Sequence, residues 1–406
     1  MRQGNSFFIS GYLMPPRTEA AFSDLKKSGL THIYIDYTPD EQKRETALTF
    51  CDRFGMKAIV MSCWGRADGP SYKKVIKNAA AHPSFDGVNG LDEPVWEDME
   101  GVEREQAGFA KDCLGKAFYV NMVNRNVPQR FVAQDESISH ADLMQRYVAL
   151  VARMPCRRTV SMTIYPLMRG EDGENMLNPG HLLSLADLAA CAQRADADMY
   201  FFVQAMPFRA THRKPEEADI RFQVNCGLCF GAKGVQYFCY RTPDPNWEFS
   251  ETQYAMIKAD GTKTDIYDSV RKVNAELAAL ADEYFSYTYM RTYAVRGRLG
   301  KNGAESFDRF YTDGSLPPGM DAFYCSENAV IGAFAKGGAH GYQVVNYTDP
   351  SRGASCYIEF SLHGAAECFV TLRGQRQRLA PSYGKFCLLL EAGDGAFIAA
   401  DTGETL

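Results

Sequence analysis

From Phe7 to about residue 285 the chain alternates between short β-rich runs and longer stretches whose apolar residues recur at helical spacing. The β-rich runs are Phe7–Leu13, His32–Tyr37, Lys57–Trp64, Phe85–Leu91, Ala117–Val123, Thr159–Ile164, Met199–Ala205 and Gly234–Tyr240, eight in all. Among the helical stretches, Ala21 and Leu25 pair ahead of a Gly29 stop. Leu143, Tyr147, Leu150 and Met154 share one face, and Leu185, Leu188, Ala189 and Ala192 share another. Pro215, Glu216 and Glu217 open a helix that stacks Ile220, Val224 and Leu228, and the last helix carries Val270, Val273, Leu277 and Leu280. Strands separated by helices pair in parallel through right-handed crossovers. Eight such units predict an α/β fold, a (β/α)8 TIM barrel, in preference to an open doubly wound sheet. No GxGxxG follows the first run, which weakens a dinucleotide-binding alternative.

After Tyr287 the period changes. Short alternating runs at Thr292–Arg298, Ala329–Ala335, Tyr342–Tyr347, Cys356–Leu362, Cys368–Leu372, Lys385–Leu390 and Phe397–Ala400 follow one another without helices, separated by Gly, Asp and Pro turns. This predicts a small antiparallel β-sandwich. The expected domains are 1–287, the catalytic barrel, and 288–406, an accessory β-domain, with Leu299–Met320 read as a long loop.

Lys and Arg total 44 against 50 Asp and Glu, a net charge of -6, and there is no basic run, so a phosphate-neutralising surface for nucleic acid is not expected. No apolar stretch approaches the roughly 18 residues of a membrane span. The opening MRQGNSFFISGYLMPP lacks the apolar core and cleavage site of a secretory signal, although a trimmed signal would leave the same picture. The 12 cysteines are scattered, mostly inside apolar runs, and suit a reducing, cytoplasmic compartment. The single CxxC, Cys226 to Cys229, falls within a helical stretch without a second pair, and reads as packing. Of the seven histidines only His212 lies near an active-face loop, without a partner at ligand spacing, so neither metal nor other cofactor is expected.

The active site of such a barrel lies at the C-terminal ends of its strands. Those ends carry Trp64; Asp92, Glu93 and Pro94 with Trp96 beyond; Asn121 and Asn124; Tyr165; Gln204; and Tyr240, Arg241 and Trp247. All three tryptophans of the chain fall on this face. Indole faces stack on sugar rings while amides, phenols and carboxylates bind hydroxyls, so this composition points to a carbohydrate. Trp64, Trp96, Asn121, Tyr165, Gln204, Tyr240 and Trp247 are the expected substrate-binding residues. Glu93 is the sharpest position. Pro94 disfavours α geometry before it, so the chain is expected to stay extended there, holding a carboxyl at the strand mouth where lost hydration raises its pKa as a general acid requires.

These residues resemble the clan A glycoside hydrolases, especially family 42-type β-galactosidases and bacterial glycosidase-like proteins around them. The resemblance rests on Gly90 to Pro94, Pro215 to Arg221, Phe230 to Phe238, Asp260 to Tyr267, Val273 to Leu277 and Leu390 to Ala396, in order along the chain. It implies that Glu93 is the acid/base. Two departures matter: Asp92 stands where the clan has Asn, and Gln204 ends the seventh strand where the clan has its Glu nucleophile. Glutamine cannot serve as that nucleophile.

Three readings stay open. A second carboxylate comes from elsewhere, Asp36 or Asp92 first and Glu248 or Glu251 in the loop after strand eight later, roughly 6.5–9.5 Å from Glu93 for inversion or about 5–5.5 Å for retention. Alternatively a substrate group assists, or the barrel binds glycans without hydrolysing them. The expected partner is a carbohydrate, with no nucleic acid and no membrane; barrels of this kind often form homo-oligomers, and one sequence gives no interface.

Overall fold

The computed structural model describes residues 6–36, 40–61, 76, 78–112, 115–155, 157–299 and 305–401. Eight parallel strands close into a barrel: β1 (Phe8–Gly11), β2 (His32–Ile35), β3 (Lys57–Met61), β4 (Phe85–Asp92), β5 (Ala117–Met122), β6 (Thr159–Thr163), β9 (Asp198–Gln204) and β10 (Gly234–Phe238). Every expected run supplies one strand of the barrel. A hairpin of β7 (Leu167–Arg169) and β8 (Asn175–Leu177), absent from the expectation, rises after the sixth barrel strand.

The barrel is a packed core. Phe8, Tyr34, Ile59, Ala117, Tyr119, Tyr200 and Phe202 fill its interior, and Phe8 stacks on Tyr200 with ring centroids 4.4 Å apart. Rings of this size need small neighbours. A Cβ on Gly234 would stand 2.3 Å from the Tyr200 ring, so only glycine fits there. Helices on the outside cover the apolar outer face, with helix ends fixed locally. Thr18 caps Glu19–Lys27, Asp40 caps Glu41–Phe54, and Ser139 with Asp142 forms a capping box for His140–Ala152. The helix expected at Pro215 begins two residues later, at Glu217, with Glu216 as its cap. Ile220, Val224 and Leu228 are buried as the pattern requires, and so are Cys226 and Cys229, both free thiols.

Helix Asp265–Phe285 ends the barrel part, and the antiparallel strands begin at β11 (Thr288–Val295). A six-stranded and a three-stranded sheet make the sandwich. Two of its strands were not anticipated, Met320–Cys325 and Gln375–Leu379, and the expected loop Leu299–Met320 contains the helix Glu305–Phe310. The larger sheet lies directly on the barrel helices: Tyr284 meets Phe334 and Phe397, and Thr292 Oγ1 donates to the Cys229 carbonyl at 2.8 Å.

Candidate active site

The parity of the strands decides which side chains enter the barrel. On β5 and β6 the inward series ends with Asn121 and with Ser161 and Thr163; on β10 it includes Gln236. These meet in one hydrogen-bonded chain. Tyr34 Oη donates to Gln236 Oε1 at 2.5 Å, Gln236 Nε2 to Ser161 Oγ at 2.7 Å, and Ser161 Oγ to Asn121 Oδ1 at 2.9 Å. Asn121 Nδ2 then donates to Asp92 Oδ1 at 3.0 Å and to Thr163 Oγ1 at 2.8 Å. Tyr12 Oη reaches the other Asp92 oxygen at 3.3 Å. Both amide protons of Asn121 are thereby used. It organises the carboxylates and has no donor left for a sugar.

Glu93 follows at the last step of the ladder, its amide donating to the Asn121 carbonyl at 2.8 Å. Its φ is +52°, so the expected extended backbone is not what forms. The chain must reverse immediately, because Trp96 N bonds the Val132 carbonyl at 2.8 Å, and a left-handed residue is the shortest way to turn. That conformation costs a non-glycine residue roughly 1–2 kcal/mol. Such costs concentrate at functional sites.

Asp92 and Glu93 both retain exposure at the barrel mouth, yet the surrounding protein removes much of the hydration a free carboxylate enjoys. That loss raises Asp92 against the bonds from Asn121 and Tyr12. For Glu93 it is joined by the charges of Asp92 and Glu248, opposed by a bond from the Thr163 hydroxyl and by Arg209, and the carboxyl is lifted to about 7. Since Thr163 Oγ1 already accepts from Asn121, its own proton is free for Glu93. Tyr165 stands beside both acids; burial, then the charges of Glu93 and Asp92, push its phenol far up. Its ring packs against Phe208 at 5.2 Å and Phe238 at 5.6 Å.

The other expected residues are placed differently. Asp36 is tied up across the bowl, accepting from Met14 N at 3.0 Å and pairing with Arg241 at 3.1 Å. Gln204 is fully buried; its Nε2 donates to the Arg213 carbonyl at 2.8 Å, so it supports the loop above it and does not line the bowl. Tyr240 is fully buried as well. Trp96 packs against the layer between barrel and helices with the Arg146 guanidinium 4.7 Å over its ring. Gln204 and Tyr240 are covered where the loops after their strands fold back, whereas Trp96 stays half-buried against the helices. Asn124 donates to the Thr163 carbonyl at 3.0 Å and braces the same turn. Trp247 is 81% exposed, beneath the Arg209 guanidinium at 5.1 Å. Trp64 lies outside the described residues.

Tyr12, Thr163, Arg209 and Phe238 are site residues the sequence reading did not single out. For Thr163 and Phe238 inward parity was the available signal, since they continue the series 161, 163 and 236, 238. His212 stacks on Phe208 at 4.0 Å, and burial, then Arg209, lower its pKa to about 4. Among the described residues no group of three or more His, Cys, Asp or Glu could hold a metal ion, and no helix is long and apolar enough to cross a membrane.

No family model and no curated protein matches the sequence. Solved structures do. A β-galactosidase from the psychrophilic Marinomonas ef1 aligns over 69% of this chain and 62% of its own, with TM-score 0.50 and 11% identity. A GH30 endoxylanase from Clostridium papyrosolvens C71 aligns over 98% of this chain and 97% of its own, with TM-score 0.48 and 8% identity. A family 39 glycoside hydrolase from Bacteroides cellulosilyticus WH2 covers 98% of this chain and 81% of its own, with TM-score 0.46 and 10% identity. At these identities the likeness is one of fold alone.

Proposed function

We propose that this chain is a glycoside hydrolase acting on a glycan or oligosaccharide, with Glu93 as the general acid/base. Residues 1–287 are read as the catalytic barrel and 288–406 as an accessory domain. The observation that carries the reading is the Glu93 carboxyl itself, open to the bowl at the end of β4, bonded to Thr163 and lifted to about 7. A carboxylic acid that keeps its proton near neutrality can protonate a glycosidic oxygen as the bond to the anomeric carbon breaks. Asp92 has both oxygens engaged by Asn121 and Tyr12, which suits an electrostatic neighbour better than a nucleophile. Tyr165 and Trp247 supply aromatic surface for the sugar.

The test is turnover of a panel of aryl glycosides. Glu93→Gln is expected to keep glycan binding while kcat falls about 10²–10⁴-fold on poor leaving groups. Equal turnover in the variant rules the assignment out. The buried Gln204 at the end of the seventh strand favours a second reading, a non-hydrolytic glycan-binding barrel. In that case the wild type binds oligosaccharide fragments, hydrolyses none, and tolerates Glu93→Gln.

A further inference from the structure

We propose that Glu248, held by Arg209 on the loop after the last barrel strand, is the second carboxylate of this site and acts as a general base on water. This deepens the glycosidase reading and rests on it. Glu248 is fixed in a way that a loop acid has no need to be. Its amide donates to Asn246 Oδ1 at 2.7 Å, its carbonyl accepts from Arg209 N at 2.7 Å, and its carboxylate pairs with the Arg209 guanidinium at 2.7 Å. Arg209 comes from a different loop, the one after β9, and takes up a left-handed backbone (φ +51°) to make both contacts. Gln253 Nε2 locks the Arg209 carbonyl at 2.8 Å.

The neighbours of this pair in sequence carry it to the Glu93 side of the bowl. Phe208 packs on Tyr165, Phe249 packs on Phe238 at 6.0 Å, and Phe238 touches both Tyr165 and Tyr12. Tyr12 bonds Asp92, and Tyr165 lies two residues beyond Thr163, which bonds Glu93. The β7–β8 hairpin supports the Arg209 loop from beneath, with Arg169 N donating to the Thr211 carbonyl at 2.8 Å. The charges acting on Glu93 are thus Asp92 from its own strand and Glu248 and Arg209 from the two loops, with the neutral phenol of Tyr165 beside them. Glu248 raises Glu93 less than Asp92 does.

A base on the facing loop would serve a single displacement. Water loses a proton to the Glu248 carboxylate as its oxygen bonds to the anomeric carbon. The glycosidic carbon–oxygen bond breaks with its electron pair going to the leaving oxygen, which takes the proton of Glu93. Proton exchange with solvent then resets both acids, and the anomeric configuration inverts.

Two kinds of measurement test this. With 4-nitrophenyl glycosides, Glu93→Gln and Glu248→Gln should each lose about 10²-fold or more in kcat. With 2,4-dinitrophenyl glycosides, whose leaving group needs no acid, Glu93→Gln should recover and Glu248→Gln should not. A normal Glu248→Gln beside an impaired Glu93→Gln overturns the role of Glu248 and leaves the glycosidase reading standing; two normal variants overturn that reading itself. NMR of the first-formed product from the wild type should show inversion, and retention overturns the base. Independently of turnover, a carbon-13 titration of Glu93 should move to lower pH in Glu248→Gln and to higher pH in Arg209→Gln. An unmoved midpoint in Glu248→Gln overturns the proposal.

Discussion

Asn121 donates to Asp92 at 3.0 Å as the last member of a chain of hydrogen bonds that starts at Tyr34 on the far side of the barrel. Each donor in that chain points toward the acids. Replacing Asn121 with Ala removes a shared partner at its centre, leaving the buried Ser161 hydroxyl without its acceptor and Asp92 without one donor. We expect a loss of about 1–3 kcal/mol in urea denaturation. Loss of the bond also raises Asp92 further. Unchanged stability would show that the chain is replaced by water at no cost.

Asp92 is also the charge that acts most strongly on Glu93, and the sign of its effect is fixed. Its negative charge raises the Glu93 carboxyl, so Asp92→Asn lowers it from about 7. A general acid works while protonated, and the alkaline limb of kcat/KM should therefore move to lower pH, with the acidic limb held by another group. A limb that stays in place would separate the two acids electrostatically.

How much of this was readable beforehand depends on which forces act locally. The barrel was legible because parallel strands buried on both faces leave apolar runs, and the crossover helices between them carry a different period. Glu93 was legible because strand ends are where such a fold puts chemistry. The strand Gln375–Leu379 was missed for the opposite reason: it is an edge strand, mostly exposed, and its polar Gln-Arg-Gln-Arg run is what protects an edge. Gln204 and Tyr240 sit at strand ends in sequence, yet both are fully buried beneath the loops, and loop return paths leave no periodic trace. Glu248 had the appearance of a surface acid because its partner, Arg209, lies 39 positions away in another loop (248 minus 209).

His82 makes a pH-dependent clamp away from the bowl. Its Nδ1 lies 2.6 Å from Asp52 and its Nε2 3.0 Å from Glu45, joining the helix Glu41–Phe54 to the turn before β4. Burial opposes the imidazolium, but the Asp52 bond and the Glu45 charge outweigh it and the pKa is raised. A group raised on folding stabilises below its unfolded pKa, about 6.5, and loses that contribution as pH climbs through the folded value. Wild-type stability should fall across that window relative to His82→Gln, whose profile should be flatter. Parallel profiles of the two proteins would contradict the assignment.

Arg213 joins the barrel to the sandwich. Its guanidinium donates twice to Asp219, both at 2.6 Å, and once to Asp349 at 2.9 Å, and all three side chains are almost fully buried. Asp219 also accepts from Glu216 N at the start of the helix Glu217–Cys229, and Asp349 from Ser351 N in the sandwich. Arg213→Met leaves two buried carboxylates facing each other without a cation. Breaking a buried pair in this way costs about 3–5 kcal/mol, far more than the pair contributes over an apolar replacement. Adding Asp349→Asn to Arg213→Met removes one stranded charge and should recover part of the loss, so the two substitutions should be non-additive in urea denaturation. Additive losses would mean that Arg213 and Asp349 act separately.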